Sequence, residues 1–185
     1  MHAATQGRIK IKAVIGGPNC RTWSICLHMP KPGGGIPLRG RSEDEVWGLL
    51  SNSTSDQKKV DDDSTLLLRM WCIYEEAAEH SKIQPAFLFE HPTDPATCNK
   101  HPAANKCSSI WATKIAKAML QKHTLKTRTF NQCRLGQIVA KTTTIAIDEN
   151  RDADPINTWD KLQCNHEDKH REVKTHRRLA DGHGA

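Results

Sequence analysis

The order of hydrophobic patterns along this chain of 185 residues predicts an α/β fold. An apolar alternation near the amino terminus and a short apolar run near the middle are typical of strands. A segment with apolar residues at helical spacing follows each of these strands, and two stretches rich in β-branched residues come last. The order strand, helix, strand, helix, strand, strand favours a sheet of about four strands with helices packed on it.

The first predicted strand covers residues 9–15, in the stretch "GRIKIKAVIGG", and ends at two glycines. The stretch "LHMPKPGGGIPLRGR" follows it and is too rich in Gly and Pro for a helix or an inner strand. We therefore expect a long loop there. Long loops inside compact domains often carry function.

A long helix is predicted over residues 55–81, because apolar residues recur there at helical spacing. The next apolar run, "PAFLFEHP", is short and bounded by prolines, so residues 86–89 are predicted to form a buried strand. The side chains that end this strand are Glu90 and His91.

A second helix is predicted in "SSIWATKIAKAMLQKH", with Ser108 or Ser109 as its N-cap. Four apolar residues are expected on its buried face: Trp111, Ile115, Ala118 and Met119. The stretches "LKTRTF" and "KTTTIAI" lie on either side of "NQCRLGQIVA" and are predicted to form an antiparallel pair of strands.

Few apolar residues occur after about residue 149, so we divide the chain into a domain over 1–149 and a polar tail over 150–185. This tail is expected to be disordered. The sequence holds no run long enough to cross a membrane, and its start lacks the apolar centre of a secretory signal. Seven cysteines without paired spacing favour reduced thiols. These features predict an intracellular protein, nuclear or cytoplasmic, with no membrane partner.

Charge is segregated along the chain. Residues 1–42 hold seven Lys or Arg and residues 95–147 hold nine, without any acid, whereas residues 43–81 hold ten acids and three bases. Such a layout can give one positive face that attracts the phosphates of nucleic acid. We expect DNA as the partner of the basic ranges 1–42 and 95–147. Solubilising surface charge explains the same layout equally well.

Two chemically useful side chains follow the first two predicted strands. Cys20 comes shortly after the first strand, and Glu90 ends the second. If the long helix is a right-handed crossover between parallel neighbours, both side chains lie at the same edge of the sheet. A thiolate can attack an electron-poor ring while a carboxyl group donates a proton to it. The alternative for Cys20 is a cysteine packed under an ordinary tight turn.

These residues resemble the catalytic half of DNA (cytosine-5) methyltransferases. "GGPNC" is similar to that family's Gly-Gly-Pro-Pro-Cys nucleophile motif, and "FLFEHP" is similar to the strand that ends in its Glu-Asn-Val motif. The resemblance implies a partial Rossmann-like methyltransferase sheet whose last two strands are an antiparallel pair. It also implies that Cys20 attacks carbon 6 of a flipped-out cytosine and that Glu90 holds ring nitrogen 3. The methyl donor would be S-adenosylmethionine.

The resemblance extends to the residues that would bind the substrate. "NQCRLG" is similar to the family's Gln-x-Arg-x-Arg motif, but Gly136 stands at its third position, and Lys141 is an equally good substitute for that arginine. The residues expected to bind substrate are Pro18, Asn19, Arg21, Ser24, His91, Gln132, Arg134 and Lys141.

The chain is more similar to the divergent methyltransferase-like segments of retroelement polyproteins. Their shared set of motifs occurs here as "GGPNCRT", "EHP", "QCRLG" and "KTTT". The Phe-x-Gly-x-Gly-Gly turn that binds S-adenosylmethionine in the family does not occur in the sequence, so no cofactor-binding residue is assigned. A cofactor-binding chain or domain is therefore a candidate partner.

We expect a degenerate or partial cytosine methyltransferase-like domain from a mobile-element protein, inactive alone and able to bind DNA. The alternative is a non-enzymatic basic module of a retroelement polyprotein, with a nucleic-acid-binding or structural role. Cysteine and histidine also occur at short spacing in "CNKHPAANKC" and "CNHEDKHREVKTH", without the tight pairs of a zinc site. We predict no metal.

Overall fold

Four strands form one mixed sheet. In the computed structural model they are β1 (Ala13–Gly16), β2 (Ala86–Pro92), β3 (Leu125–Asn131) and β4 (Thr142–Asp148). Their order across the sheet is β1-β2-β4-β3. β1 is parallel to β2, whereas β4 is antiparallel to both β2 and β3. The predicted α/β class, with a final antiparallel pair of strands, is confirmed. The structure describes residues 10–28, 35–98, 102–137, 141–148, 159 and 161–164.

Within the described residues, three α-helices accompany the sheet: α1 (Thr54–His80), α2 (Pro95–Cys98) and α3 (Lys114–Lys122). Short 3₁₀ turns connect them at Arg21–Trp23, Ile25–His28, Glu45–Trp47, Ala104–Lys106, Ile110–Ala112 and Gln132–Leu135. None of these helices is long and apolar enough to cross a membrane.

The long helix α1 begins and ends within one residue of its predicted bounds. The hydroxyl of Ser53 accepts a hydrogen bond from the backbone N–H of Asp56 and so caps its first turn. The helix packs against one face of the sheet through a row of buried side chains. Apolar members of this row are Val60, Leu67, Trp71, Tyr74 and Ala77.

Two predicted strands differ in length from the structure. β1 begins at Ala13, four residues later than predicted, and ends at Gly16. Residues 10–12 are not part of the strand, and residue 9 lies outside the described residues. β2 continues beyond residue 89 to Pro92, because its pairing with β4 extends through Glu90, opposite Ile145, and His91, opposite Thr144. Glu90 and His91 are therefore part of the strand, where successive side chains point to opposite faces.

The start of α3 differs from the prediction. Neither Ser108 nor Ser109 caps the helix, because a 3₁₀ turn follows them and the helix begins only at Lys114. Thr113 caps it instead, with its hydroxyl accepting from the N–H of Ala116 at 3.2 Å. The later start also changes the buried face: Ala116 is buried, with Trp111, Met119 and Leu120 packed on the core, whereas Ile115 and Ala118 are exposed.

The opposite face of the sheet carries a smaller apolar cluster. Phe130, Ile145 and Ile147 are buried there, with Trp159 and Leu162 packed on them. The N–H of Asn131 donates to the carbonyl of Leu162 at 3.0 Å, so this part of the predicted tail contacts β3. The remainder of the tail lies outside the described residues, and its disorder stays a prediction.

Candidate functional site

Gly16, the last residue of β1, and Gly17, which follows it, make room for side chains from neighbouring elements. A Cβ atom on Gly16 would lie 2.8 Å from the Sδ atom of Met70, which packs on it from α1. A Cβ atom on Gly17 would lie 2.8 Å from Oε2 of Glu90. The Glu90 carboxylate therefore lies over Gly17, beyond the carboxyl end of β1, in space that any larger residue would fill.

The turn that follows presents Cys20. Oδ1 of Asn19 accepts from the N–H of Arg21 at 3.0 Å, and the carbonyl of Cys20 accepts from the N–H of Trp23 at 3.0 Å. The thiol is free and partly buried. Burial raises its pKa above the ordinary value; Lys141 acts to lower it, and Glu90 acts to raise it further. Cys20 is consequently a protonated thiol at rest, and the charges of Lys141 and Glu90 both act on it.

Lys141 joins Glu90 at this edge of the sheet. It stands one residue before β4, which is antiparallel to β2, so the start of β4 lies beside the end of β2. Its Nζ atom lies 3.5 Å from Oε1 of Glu90, and both side chains remain about one-third exposed, at 36% and 30%. The charges of Glu90 and Lys141 both act on the Cys20 thiol, and we call these three residues the thiol–carboxylate cluster. It contains a nucleophile, an acid–base group and a cation.

Gln132 supports this cluster from the turn after β3. Its N–H donates to the carbonyl of Lys141 at 2.9 Å, and its Nε2 donates to Oγ1 of Thr143 at 2.9 Å. Arg134 lies in the same turn and is exposed. Of the two cations that the sequence left open, Lys141 contacts the carboxylate of Glu90.

Other residues expected to bind substrate have local roles. Oγ of Ser24 accepts from the N–H of Cys26 at 3.2 Å, which stabilises the next turn of the loop. Pro18 is partly buried and Asn19 is exposed. Arg21 is directed to α1, where its guanidinium lies 3.0 Å from Oδ1 of Asp63.

His91 lies on the other face of the sheet from Glu90. Its ring is 1% exposed and packs between Trp23, at 5.8 Å between ring centroids, and Phe89, at 6.2 Å. Nε2 has no hydrogen-bond partner among the described residues. Burial lowers the pKa of His91 to about 3, and the charges of Lys141 and Arg39 act in the same direction. The structure therefore places His91 in the core, because it alternates with Glu90 along β2.

Sequence reasoning missed two buried charged residues behind Cys20. Asp63 is 1% exposed and accepts from both the N–H and the hydroxyl of Thr22, at 3.0 and 2.7 Å. The signal was its position three residues after Val60 and four before Leu67, which places a carboxylate on the apolar face of α1.

The second missed residue is Arg39, which is also 1% exposed. Its Nε donates to Oγ1 of Thr22 at 3.0 Å, and its carbon Cζ lies 3.9 Å from the ring centroid of Trp23. The remaining donors bond the carbonyl of Val46 at 2.7 Å, the carbonyl of Val60 at 2.9 Å and Oγ of Ser64 at 3.1 Å. Burial lowers the pKa of Arg39 to about 10, against the opposing effect of Asp63. A loop position surrounded by Gly and Pro carried no sign of this burial.

The chain has no match among known protein families, curated proteins or solved structures. Its function is therefore argued from the geometry of the thiol–carboxylate cluster.

The described residues do not fit S-adenosylmethionine in the manner the resemblance implies. Such a site needs a glycine turn between a strand and a helix, with room for the ligand. The space over Gly16 and Gly17 is filled by Met70 and Glu90, and Gly35 follows no described strand and contacts Leu27. No step is therefore derived through this donor.

Within the same residues, no group of three or more side chains is arranged to hold a metal ion. Of the cysteines and histidines at short spacing, Cys107 donates its S–H to the carbonyl of Ala103 at 3.1 Å. The side chain of Cys98 and residues 101, 166 and 170 lie outside the described part of the chain.

Proposed function

We propose that this chain is the base-binding half of a DNA (cytosine-5) methyltransferase-like domain, in a partial form that belongs to a mobile-element protein. In this function Cys20 adds to carbon 6 of a pyrimidine and Glu90 holds nitrogen 3. The observation that carries the proposal is that Glu90 and Lys141 contact each other and both act electrostatically on Cys20, at the edge of the sheet where β1 ends beside the parallel strand β2. The antiparallel end of the sheet also agrees with the resemblance.

The cluster has the groups that such an addition requires. A bond forms between Sγ of Cys20 and carbon 6, electron density moves from the ring double bond toward nitrogen 3, and nitrogen 3 receives a proton from Glu90. The thiol gives its proton to solvent, and Glu90, a carboxylate beside Lys141 at rest, takes up from solvent the proton that it delivers to nitrogen 3. Because burial keeps the thiol protonated at rest, the cation of Lys141 is the nearby group that favours its ionised form.

The proposal assigns only half of a methyltransferase to these residues. The methyl donor would have to be bound by another chain or domain, which is therefore the expected protein partner. By the same reasoning, purified chain without that partner is expected to give no heat of binding with S-adenosylmethionine in calorimetry. A clear binding isotherm would show that the chain holds a complete donor site and would overturn the partial form of the proposal.

The first prediction tests adduct formation without a methyl donor. The chain is incubated with DNA duplexes that carry 2-pyrimidinone in place of cytosine within random flanking sequence, because this ring is more readily attacked at carbon 6. We expect a covalent protein–DNA species, resistant to denaturation, whose peptide map places the DNA on Cys20. Glu90→Gln should lower the rate about 100-fold, since an amide cannot supply the proton.

The matched control for this experiment is Cys26→Ser, which removes another partly buried thiol from the same loop. It should leave the adduct unchanged, whereas Cys20→Ser should abolish it. Attachment at a different cysteine would contradict the proposal. DNA binding that weakens steeply with salt and is insensitive to Cys20→Ser, without any adduct, would support the non-enzymatic basic module instead.

A further inference from the structure

The turn that carries Cys20 is attached to helix α1 by a buried carboxylate. In the described part of the chain, the carboxylate of Asp63 accepts three hydrogen bonds, all from the two residues that follow Cys20. We propose that Asp63 is the positioning residue of this thiol, holding the Cys20 turn in the orientation that places Sγ at the thiol–carboxylate cluster. The inference rests on the proposed function only for the use made of Cys20; the positioning itself can be measured without it.

The contacts of Asp63 leave the turn little freedom. Oδ1 accepts from Nη2 of Arg21 at 3.0 Å, while Oδ2 accepts from the N–H of Thr22 at 3.0 Å and from its hydroxyl at 2.7 Å. A backbone donor and two side-chain donors thus converge on one carboxylate from consecutive residues. Rotation of the turn about its backbone would break at least one of these bonds.

Arg39 completes the attachment from the other side. It donates to the same hydroxyl of Thr22 and lies against the ring of Trp23, so Arg21, Thr22 and Trp23 each have a partner beyond the turn. Arg39 is itself fixed by the carbonyls of Val46 and Val60. The three residues after the nucleophile are therefore held from both sides.

Stability alone does not account for this arrangement. The Asp63 side chain is 1% exposed and its ion-pair partner Arg21 is 52% exposed, so the carboxylate loses its hydration without a buried partner in the ion pair, and the net gain in stability is small. Among the described residues, the side-chain hydrogen bonds of Asp63 all go to this turn. Its directional bonds determine the geometry of the turn, which an apolar residue at the same position would leave free.

The test measures alkylation of Cys20 by iodoacetamide as a function of pH, with peptide mass spectrometry to separate this thiol from the others. The charged groups that act on Cys20 are Lys141, Glu90 and Asp63. In Asp63→Asn we expect the turn to loosen and the thiol of Cys20 to become more exposed to solvent. The substitution also removes a negative charge that raises the pKa of Cys20. We expect the pH profile to move toward lower pH and the rate at pH 7 to rise about three- to tenfold.

Asp62→Asn is the matched control, because Asp62 carries the same charge one residue away and pairs with Lys58 on the exposed side of α1. It should keep the alkylation profile of the original chain. A global loss of stability would raise the alkylation of buried Cys107 and Cys133 as well, so a change confined to Cys20 identifies positioning. An unchanged profile in folded Asp63→Asn overturns the proposal.

Should Asp63→Asn fail to fold, Thr22→Val provides the second variant. It keeps the size and the backbone N–H but removes the hydroxyl that links Asp63 to Arg39. A Cys20-specific rise in alkylation supports the positioning role, and Thr22→Ser, which restores the hydroxyl, should reverse it. A profile unaltered by Thr22→Val contradicts the role.

This outcome is distinguishable from that of the proposed function. If alkylation responds to Asp63 but no 2-pyrimidinone adduct forms in the original chain, the positioning stands and the base-binding function fails. If the adduct forms and neither Asp63→Asn nor Thr22→Val alters the reaction of Cys20 with iodoacetamide, only the positioning fails.

Discussion

At the scale of single residues, the alternation of β2 separates two side chains that are adjacent in sequence. Glu90 lies in the partly exposed cluster at the edge of the sheet, while His91 lies in the core beside Trp23. The ring of His91 is neutral in the folded chain, because burial lowers its pKa to about 3. Protonation of His91 therefore favours the unfolded state, which makes the free energy of unfolding depend on pH.

The second prediction concerns this dependence. A histidine in the unfolded chain has a pKa near 6.5. Below about pH 6.5 the side chain of His91 is therefore protonated in the unfolded state and neutral in the folded state. From this residue, the free energy of unfolding should fall by up to about 1.4 kcal/mol per pH unit as the pH decreases from 6.5 toward 4. Urea unfolding followed by tryptophan fluorescence at several pH values measures this slope.

His91→Gln should reduce that slope, whatever its effect on stability at pH 7. The matched control is His80→Gln, because His80 is 46% exposed at the end of α1 and keeps its access to water. The control should show the slope of the original chain. Equal slopes in all three proteins would mean that His91 is protonated in the fold.

At the scale of elements, the start of α3 depends on which hydroxyl reaches the helix. Thr113 accepts from the N–H of Ala116 and donates to the carbonyl of Ile110 at 2.7 Å. Ser109 stands four residues earlier, before a 3₁₀ turn, and its buried Oγ has no hydrogen-bond partner among the described residues. Both residues look suitable as caps in the sequence, but only Thr113 has the required geometry.

The third prediction follows from this difference. Thr113→Ala should lower the free energy of unfolding by about 1 kcal/mol, because the first turn of α3 loses its cap. Ser109→Ala is the matched control and should leave stability unchanged or raise it, since it removes a buried polar atom without a partner. Urea unfolding of the two variants decides the point. A loss in Ser109→Ala as large as that in Thr113→Ala would show that the helix begins earlier.

At the scale of the whole molecule, the short segment 161–164 is attached to β3 by hydrogen bonds. Leu162 accepts from the N–H of Asn131, and Nε2 of Gln163 donates to the carbonyl of Thr129 at 2.9 Å. Cys164 then hydrogen-bonds Cys133, whose pKa is raised by burial and by this thiol. Cys164 thus lies beside the turn that supports Lys141.

The fourth prediction uses these two thiols to report on the attachment. Diamide, an azo oxidant, should convert Cys133 and Cys164 to a disulfide: the thiols lose two hydrogen atoms and the azo group is reduced to a hydrazine. Intact mass and a peptide map under non-reducing conditions identify the bond. Cys164→Ser should abolish it, whereas Cys72→Ser, which removes an exposed thiol of α1, should not. Pairing of Cys133 with any other cysteine would contradict the attachment.

The sequence by itself determined the class of fold and the bounds of its longest helix, because hydrophobic periodicity and turn residues act locally. It also predicted Cys20 and Glu90 at one edge, since the carboxyl ends of parallel strands lie together, and the structure has them there. Only the tertiary structure showed that Lys141 reaches Glu90, which face receives His91 and which hydroxyl caps α3. It alone placed Asp63 and Arg39 behind Cys20. These choices depend on strand register and on contacts between residues far apart in sequence, and local patterns carry no information about either.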